Sequence, residues 1–194
     1  MQADTLFDDN QAHQNTPKKR KNNPEQLRHT LILTAKNLMV KEGIANLSMQ
    51  KVADHAGTSK GGLFHHFKSK EELIAAVIGL FIAQLNTAIL AKINQNPKQA
   101  GIFTRSYLDV LFYDPNIGMA SAWANLRQVI NADGQMQAQW QDWLNQKLRQ
   151  FETTDGDPKF AVIRYAVDGA WLDDLLTTDE THRQRIYQHI ITLF

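Results

Sequence analysis

The residues of this chain that are best suited to chemistry lie close together in the stretch GTSKGGLFHHF. Lys60 supplies a positive charge, Gly61 and Gly62 leave the backbone bare, and His65 and His66 follow directly. Lysines and exposed backbone amides bind phosphates and base edges, whereas neighbouring histidines suggest a metal site as the alternative. Each glycine costs an isolated helix about 1 kcal/mol relative to alanine, so these glycines indicate a surface where small size matters.

A metal site at the two histidines is not expected. Neighbouring residues on a helix diverge by about 100°, so His65 and His66 cannot easily share one ion. His182 and His189 lie two turns apart on one face of the last predicted helix, and we interpret them as surface or interface residues. No metal and no other cofactor is therefore expected.

The surrounding residues have the layout of a helix-turn-helix, in which two short helices cross at a tight turn. Ala53 supplies the small residue at the crossing, and Gly57 supplies the turn. Val52, Ala56 and Leu63 are spaced to fill the shared core. The second helix then presents its N-terminal turn outward, where unpaired amides and a partial positive charge suit phosphates and base edges.

The net charge of +1 conceals an uneven distribution along the chain. Residues 1–16 carry three acids and no Lys or Arg, residues 17–70 carry eleven Lys and Arg against three acids, and residues 71–194 carry ten against fourteen. A basic segment on a mildly acidic body indicates a surface for a polyanion, the alternative being chance clustering on a solvated face. The run Lys18–Lys21 could follow a DNA groove as an arm or act only as a solubilising tail.

The apolar spacing is helical throughout, and no period-two alternation persists, so the chain is predicted to be all-α with about nine helices. Asn-Pro and Asp-Pro pairs and the capping box SKEE mark several helix starts. The helices are expected over approximately residues 24–42, 48–56, 59–67, 70–93, 98–112, 115–132, 134–151, 158–176 and 179–193.

These helices suggest three regions. Residues 1–22 are predicted to be a disordered basic arm, residues 23–69 a helix-turn-helix domain, and residues 70–194 a larger helical domain. The fourth helix begins directly at the junction of the last two regions, so a displacement of one of its ends should also displace the other.

Several classes of protein are excluded by what the sequence lacks. There is no cysteine, no phosphate-binding loop, no serine nucleophile elbow, no HExxH motif and no paired carboxylate constellation, so we do not expect an enzyme. No apolar run reaches the roughly 18 residues that span a membrane, because Gln84, Asn86 and Thr87 interrupt the longest one. With an acidic, polar N-terminus as well, we expect a cytoplasmic protein without a membrane partner.

The stretch VADHAGTSKGGLFHHFKSKEELI resembles the DNA-binding domain of TetR-family (tetracycline-repressor-like) transcriptional regulators, and ILTAKNLMVKEGIANLSMQKVA fits the helix before it. The resemblance covers approximately residues 24–76, and the remainder matches in length and all-helical character. Thr58 stands where the family often has Val or Ile, and Gly62 where it often has Thr, Ser or Ala. These departures bear on which DNA sequence is read and not on whether the fold forms.

The resemblance and the helix geometry together imply a set of DNA contacts. The residues concerned are Ser48, Ser59, Lys60, Gly61, Gly62, Phe64, His65, His66 and Lys70. Lys60 could donate to a guanine or, equally well, to a phosphate. Phe64 replaces the usual Tyr of the family, so only the packing of its ring against the backbone should survive.

The remaining contacts divide into sequence-reading and positioning ones. His65 could touch a base or a thymine methyl group, whereas His66 is expected at the sugar-phosphate wall or in the domain core. Ser48 and Lys70 match phosphate contacts of the family, and phosphate contacts set position without reading sequence.

The eighth predicted helix is apolar nearly all round, which indicates that it is covered on several sides. In TetR-like proteins the last two helices form a four-helix dimer interface, and a central helix buried in a monomer is the alternative. The residues expected at such an interface are Phe160, Ile163, Val167, Trp171, Ile186 and Ile190. Arg164 and Asp168 on the same helix are expected to pair with each other, or else to frame a ligand.

The middle helices are rich in aromatic and flexible side chains, which in this family often line a cavity for a small effector. The residues expected to bind it are Phe81, Phe103, Tyr107, Trp123, Arg127 and Trp140. An ordinary core is the alternative for each of the rings. Arg127 would suit an anionic group on an otherwise apolar or aromatic molecule.

The function that these patterns predict is a sequence-specific transcriptional regulator of the repressor type that binds a palindromic operator as a homodimer. The resemblance further implies that a small-molecule effector shifts the fourth helix and changes the spacing of the two recognition helices. The alternative is a helical interaction or scaffold module without specific DNA reading.

Overall fold

The computed structural model describes residues 23–95, 99–124, 130 and 134–194. Over these residues the chain forms ten α-helices, a 3-10 turn at Ile44–Asn46 and no strand, which confirms the all-α prediction. The arm predicted over residues 1–22 lies outside the described residues. The helices are α1 (Pro24–Glu42), α2 (Met49–His55), α3 (Lys60–His66), α4 (Lys70–Ile93), α5 (Ile102–Tyr113), α6 (Gly134–Gln150), α7 (Glu152–Asp155), α8 (Pro158–Ala170), α9 (Asp174–Thr178) and α10 (Glu180–Ile191).

Most helix starts follow the capping residues that the sequence predicts. The Asn23 side chain accepts a hydrogen bond from the Glu25 amide at 3.1 Å, and the Asp157 side chain accepts one from Lys159 at 2.9 Å. At the start of α4, the Ser69 hydroxyl accepts from the amide of Glu72 at 3.2 Å. These side chains satisfy amides that have no partner within the helix, which fixes where each helix begins.

The helix predicted over residues 115–132 is wrong over residues 115–124, whereas the described residue 130 is helical. Asp114 does accept hydrogen bonds from the amides of Asn116 and Ile117, at 2.8 and 3.1 Å, but the chain then forms turns over residues 115–124. A side chain at Gly118 would lie only 2.7 Å from the carbonyl oxygen of Asp114. The capping signal is therefore real, but the tight turn at Gly118 replaces a continued helix.

Two further predicted helices are shorter in the structure. The one predicted from residue 98 begins at Ile102, because Gly101 adopts a left-handed conformation with φ of 70°. The one predicted over residues 158–176 ends at Ala170, where the Trp171 indole turns to donate to the carbonyl of Ala124 at 3.1 Å.

Helix α4 is the central element of the fold. It packs against α1, α5 and α6, and nine of its 24 residues are buried in one continuous hydrophobic cluster. By length and composition alone α4 is apolar enough to cross a membrane, contrary to the expectation that Gln84, Asn86 and Thr87 interrupt the apolar run. Its burial against three other helices accounts for that apolar composition.

A buried polar cluster joins the start of α5 to α7 and α8. The carboxylate of Asp155 accepts hydrogen bonds from the amides of Phe103 and Thr104, at 3.1 and 2.8 Å, and from the hydroxyl groups of Thr104 and Thr154, at 2.6 and 2.8 Å. Arg164 donates to the same Thr104 hydroxyl at 2.7 Å, and burial lowers its pKa against an opposing effect of Asp155. Asp155 thus caps α5 from a distant part of the chain.

We expect Asp155→Ala to lower the free energy of unfolding by about 2–4 kcal/mol, because it leaves buried amides of α5 and the Arg164 cluster without an acceptor. Urea denaturation measures this loss. The matched control is Asp157→Ala, which removes an exposed cap of α8 and should cost only about 1 kcal/mol. Equal, small losses in the two variants would contradict the role of Asp155.

Candidate DNA interface

The two helices of the predicted helix-turn-helix are held by their own caps and by a shared core. Ser48 caps α2 by accepting from the amide of Lys51 at 3.2 Å, and Ser59 caps α3 by accepting from the amide of Gly62 at 3.1 Å. Gly57 between them has a φ of 68°, a conformation that favours glycine. These local contacts and the glycine turn therefore determine how α2 and α3 cross.

The core under this motif leaves one face of α3 free. Val52, Ala53, Leu63 and Phe67 are fully buried, whereas Lys60, Gly61 and His65 are exposed. Arg28 of α1 covers the ring of Phe67, with its guanidinium carbon 4.7 Å from the ring centre. The exposed set is the one that the sequence predicts to face DNA.

The two glycines at the tip of α3 differ in their surroundings. A side chain at Gly61 would meet nothing closer than the Ser59 hydroxyl at 3.9 Å, so this position faces open space. A side chain at Gly62 would lie 2.6 Å from the hydroxyl oxygen of Thr58. The hydroxyl of Thr58 therefore lies in the space beside Gly62, a contact that the sequence analysis missed even though it noted both residues as departures from the family pattern.

The other predicted contact residues surround this tip. The Lys60 ammonium lies 5.8 Å from the ring centre of Phe64, one turn further along α3. The rings of His65 and His66 meet edge to face at 5.4 Å. Desolvation, followed by the nearby charges of His65 and Arg28, lowers the pKa of His66. The His66 side chain is partly exposed, so its predicted place at the sugar-phosphate wall or in the domain core stays a prediction.

The two predicted phosphate contacts, Ser48 and Lys70, lie at the starts of α2 and α4. Lys70, the first residue of α4, donates to the carbonyl of Ile44 at 3.1 Å, which ties α4 to the turn before α2. An ammonium has three donors, so this bond is compatible with a phosphate contact. The hydroxyl of Ser48 accepts in its cap and can still donate. Among the described residues no group of three His, Asp or Glu is arranged to hold a metal ion.

The aromatic residues predicted to bind an effector lie in the hydrophobic core. Phe81 packs on Trp123 and Trp140, at 5.3 and 6.0 Å between ring centres, and Phe103 packs on Tyr107 at 5.9 Å. All five rings are buried, and they fill space against one another as ordinary core residues do. Their ligand role stays a prediction that this packing does not favour. Arg127 lies outside the described residues.

Most of the residues predicted for the dimer interface do not lie on the surface of the subunit. Phe160, Ile163, Val167 and Trp171 are buried within the subunit, as is Ile190, while Ile186 is partly buried. Side chains already buried in one subunit offer little surface to a second. The apolar surface of α8 lies on its other face, with Val162 62% exposed and Tyr165 74% exposed.

The pair predicted on α8 is also different in the structure. Arg164 donates to Thr104, and Asp168 accepts from the hydroxyl of Tyr107 at 2.5 Å, so the two charged residues each bond to α5. The charge of Asp168 still acts on Arg164, since it opposes the lowering of the Arg164 pKa by burial. On α10, His182 is half-buried and His189 is exposed, in line with a surface position.

A two-helix motif with a short, exposed, basic second helix defines a helix-turn-helix DNA-binding protein. The profile of bacterial regulatory proteins of the tetR family matches residues 31–77, and that of the tetracyclin repressor-like C-terminal domain matches residues 101–194. The chain belongs to the TetR family, whose members bind operator DNA, act as dimers and bind small-molecule ligands. It is accordingly a DNA-binding transcriptional regulator and not an enzyme.

Relatives and solved structures agree with this assignment. The HTH-type transcriptional repressor KstR2 of Mycobacterium tuberculosis (strain H37Rv) is 24% identical over 157 residues, covering 75% of this chain and 78% of that protein. Two solved structures share the fold. One is SCO4454, a TetR-family regulator from Streptomyces coelicolor, with 17% identity, 87% and 94% coverage of the two chains and a TM-score of 0.67. The other is the multidrug binding protein EbrR complexed with malachite green, with 18% identity, 86% and 97% coverage and a TM-score of 0.68.

We expect Gly61→Ala to stabilise the protein by about 0.5–1 kcal/mol, because alanine favours the helix and its methyl group meets open space. The same variant should bind operator DNA more weakly, since the methyl group would keep the backbone from the groove. Urea denaturation and fluorescence anisotropy measure the two effects.

Gly62→Ala is the matched comparison for that variant. Its methyl group requires Thr58 to rotate, so the stabilisation should appear only when Thr58→Ala is added. Unchanged DNA affinity in Gly61→Ala would show that the backbone at Gly61 does not approach DNA closely.

Proposed function

We propose that this chain is a ligand-responsive repressor that binds a palindromic operator as a homodimer. The observation that carries the proposal is the tip of α3, where Lys60 and Gly61 are exposed on a helix whose opposite side is anchored by Leu63 and Phe67. Such a helix can enter a major groove with its N-terminal turn foremost. The repressor role is supported by the name of the relative KstR2, and the small-molecule response by the EbrR complex.

We further propose specific roles for the exposed residues. Lys60 and His65 read base edges, and Gly61 permits close approach of the backbone. Ser48 and Lys70 contact phosphates on the two sides of the groove and set the position of α3 without reading sequence. Phe64 supports Lys60 through the contact of its ring with the ammonium group.

A second subunit would cover the exposed apolar face of α8. Val162, Tyr165, Ala166, Gly169 and Leu172 are exposed at helical spacing along one side of this segment. An aromatic side chain as exposed as Tyr165 is unusual on a monomeric surface, and a two-fold contact buries it on both subunits. This face replaces the residues that the sequence analysis assigned to the interface. Two α3 helices in such a dimer would meet two half-sites of a palindrome.

In a gel-shift titration on the DNA upstream of its own gene, the protein should bind one palindrome specifically. Its association constant should fall by about 0.9 logarithmic units per phosphate contact for each tenfold rise in salt concentration. Lys70→Met should weaken binding to all sequences alike. Lys60→Met and His65→Ala should change the preferred base when binding sites are selected from a randomised half-site.

The control for these variants is Lys41→Met, which removes an exposed charge near the end of α1. Its affinity should stay close to that of the wild type. Uniform binding of the wild type to any duplex would overturn the operator-binding proposal. Occupied operator should reduce transcription in a purified system, and an increase would overturn the repressor role.

Tyr165→Asp should convert the dimer into a monomer, because it places two charges in an apolar two-fold contact. Sedimentation equilibrium measures the mass. Gln141→Asp adds the same charge at an exposed position of α6 and should leave the dimer intact. A dimer that persists in Tyr165→Asp would place the interface on another surface.

A further inference from the structure

An open cavity of about 660 Å³ lies where the helix-turn-helix unit meets the rest of the chain. Lys36 of α1 lines one side, residues of α4 form the floor, and Asp114, Asn116, Ile117 and Trp123 from the turns after α5 form the other side. A volume of this size suits a small organic molecule. The core rings Phe81, Phe103, Tyr107 and Trp140, which the sequence analysis favoured for ligand binding, are not among the residues that line it.

Lys36 is the distinctive group of this cavity. Its ammonium lies 4.3 Å from the ring centre of Trp123, and that ring is otherwise buried. No ion pair to Lys36 occurs among the described residues. Burial lowers the pKa of Lys36, and no neighbouring charge offsets that effect. An ammonium in this position is held only by a ring face, a weaker partner than a carboxylate would be.

The rest of the lining favours one kind of partner for that ammonium. Ala88, Ala91, Ile117 and the Trp123 ring offer apolar surface. The carboxylate of Asp114 also lines the cavity, and one of its oxygens, Oδ1, accepts hydrogen bonds from two backbone amides. Gln84, Thr87 and Asn116 add polar groups to the lining. A ligand therefore finds an ammonium that has no ion pair among the described residues and, beside it, the apolar surface of the α4 alanines.

We propose that this cavity binds an organic monoanion with an apolar body, whose carboxylate pairs with Lys36. The ligand draws the ammonium from the face of Trp123 into a charge-assisted hydrogen bond, and its apolar part covers the alanine floor of α4. The cavity lies at the contact of α1 and α4, so a bound molecule touches both the helix that supports α2 and α3 and the helix that enters the C-terminal part. The effect on DNA rests on the proposed function above, whereas binding to the cavity does not.

Isothermal titration of the full chain with octanoate and octan-1-ol, which share the same eight-carbon body, tests the charge requirement. Octanoate should bind the wild type more tightly than octan-1-ol. Lys36→Met should weaken octanoate binding by about tenfold or more and leave octan-1-ol nearly unchanged, since it removes the charge and keeps the chain length. Lys36→Arg should restore most of the affinity for octanoate.

Two controls locate the site. Lys41→Met removes an exposed charge from the same helix and should leave octanoate binding unchanged. Ala91→Trp fills the cavity from an exposed position of α4 and should weaken both molecules. Circular dichroism checks that each variant is folded. Equal octanoate affinity in the wild type and Lys36→Met overturns the proposal, as does an equal loss in Lys41→Met.

A separate measurement tests whether ligand binding in the cavity changes the affinity for operator DNA. Saturating octanoate should lower the affinity of the wild type for its operator and have no such effect on Lys36→Met. If the operator is bound but octanoate is not, the proposed function stands and this inference fails. If octanoate binds through Lys36 but no operator is protected, the cavity stands and the proposed function fails.

Discussion

The structure depends on α4 being one uninterrupted helix whose buried side chains serve both ends of the chain. The cap at Ser69 fixes its start, and buried residues follow it from Leu73 to Ile93. It packs on α1, the helix before the helix-turn-helix, and it also packs on α5 and α6. Because the hydrophobic cluster is continuous through α4, neither end can move its part of this helix without disturbing packing at the other.

Two polar contacts hold the recognition unit to the rest of the chain. The bond from Lys70 to the carbonyl of Ile44 ties the start of α4 to the turn before α2. The contact of Lys36 with Trp123 ties α1 to the turns after α5. The first lies next to the surface proposed to meet DNA, and the second lies at the wall of a cavity. A ligand that competes for Lys36 would therefore act on α1 directly, without requiring a long chain of intermediate residues.

Capping residues in the sequence predicted where several helices begin. The caps at Asn23, Ser59, Ser69 and Asp157 place helix starts, because each side chain bonds to amides two or three residues away. The exposed tip of α3 could be predicted for the same reason. Contacts between distant residues could not be predicted. No residue near Ile102 in the sequence indicates that Asp155 caps α5. A capping residue such as Asp114 is compatible either with a helix or with a turn.

The sequence alone could not assign the faces of a helix that has apolar residues on several sides. On α8 the periodicity identified a helix that needs cover, but Phe160 and Val162 look alike as apolar residues in sequence. The choice between them depends on which side meets α5, and that choice follows from the polar bonds of Arg164 and Asp168 to α5. These two bonds hold one side of α8 against α5. The apolar residues on the opposite side, such as Val162, are therefore exposed and available to a partner subunit.

At the tip of α3, two residues that depart from the family pattern lie in contact. The hydroxyl of Thr58 occupies the space that a side chain at position 62 would need. With glycine at positions 61 and 62, the helix tip has little side-chain surface. On such a tip, direct readout falls to Lys60 and His65. The remaining discrimination must come from how readily the DNA adopts the shape that lets a bare backbone approach it.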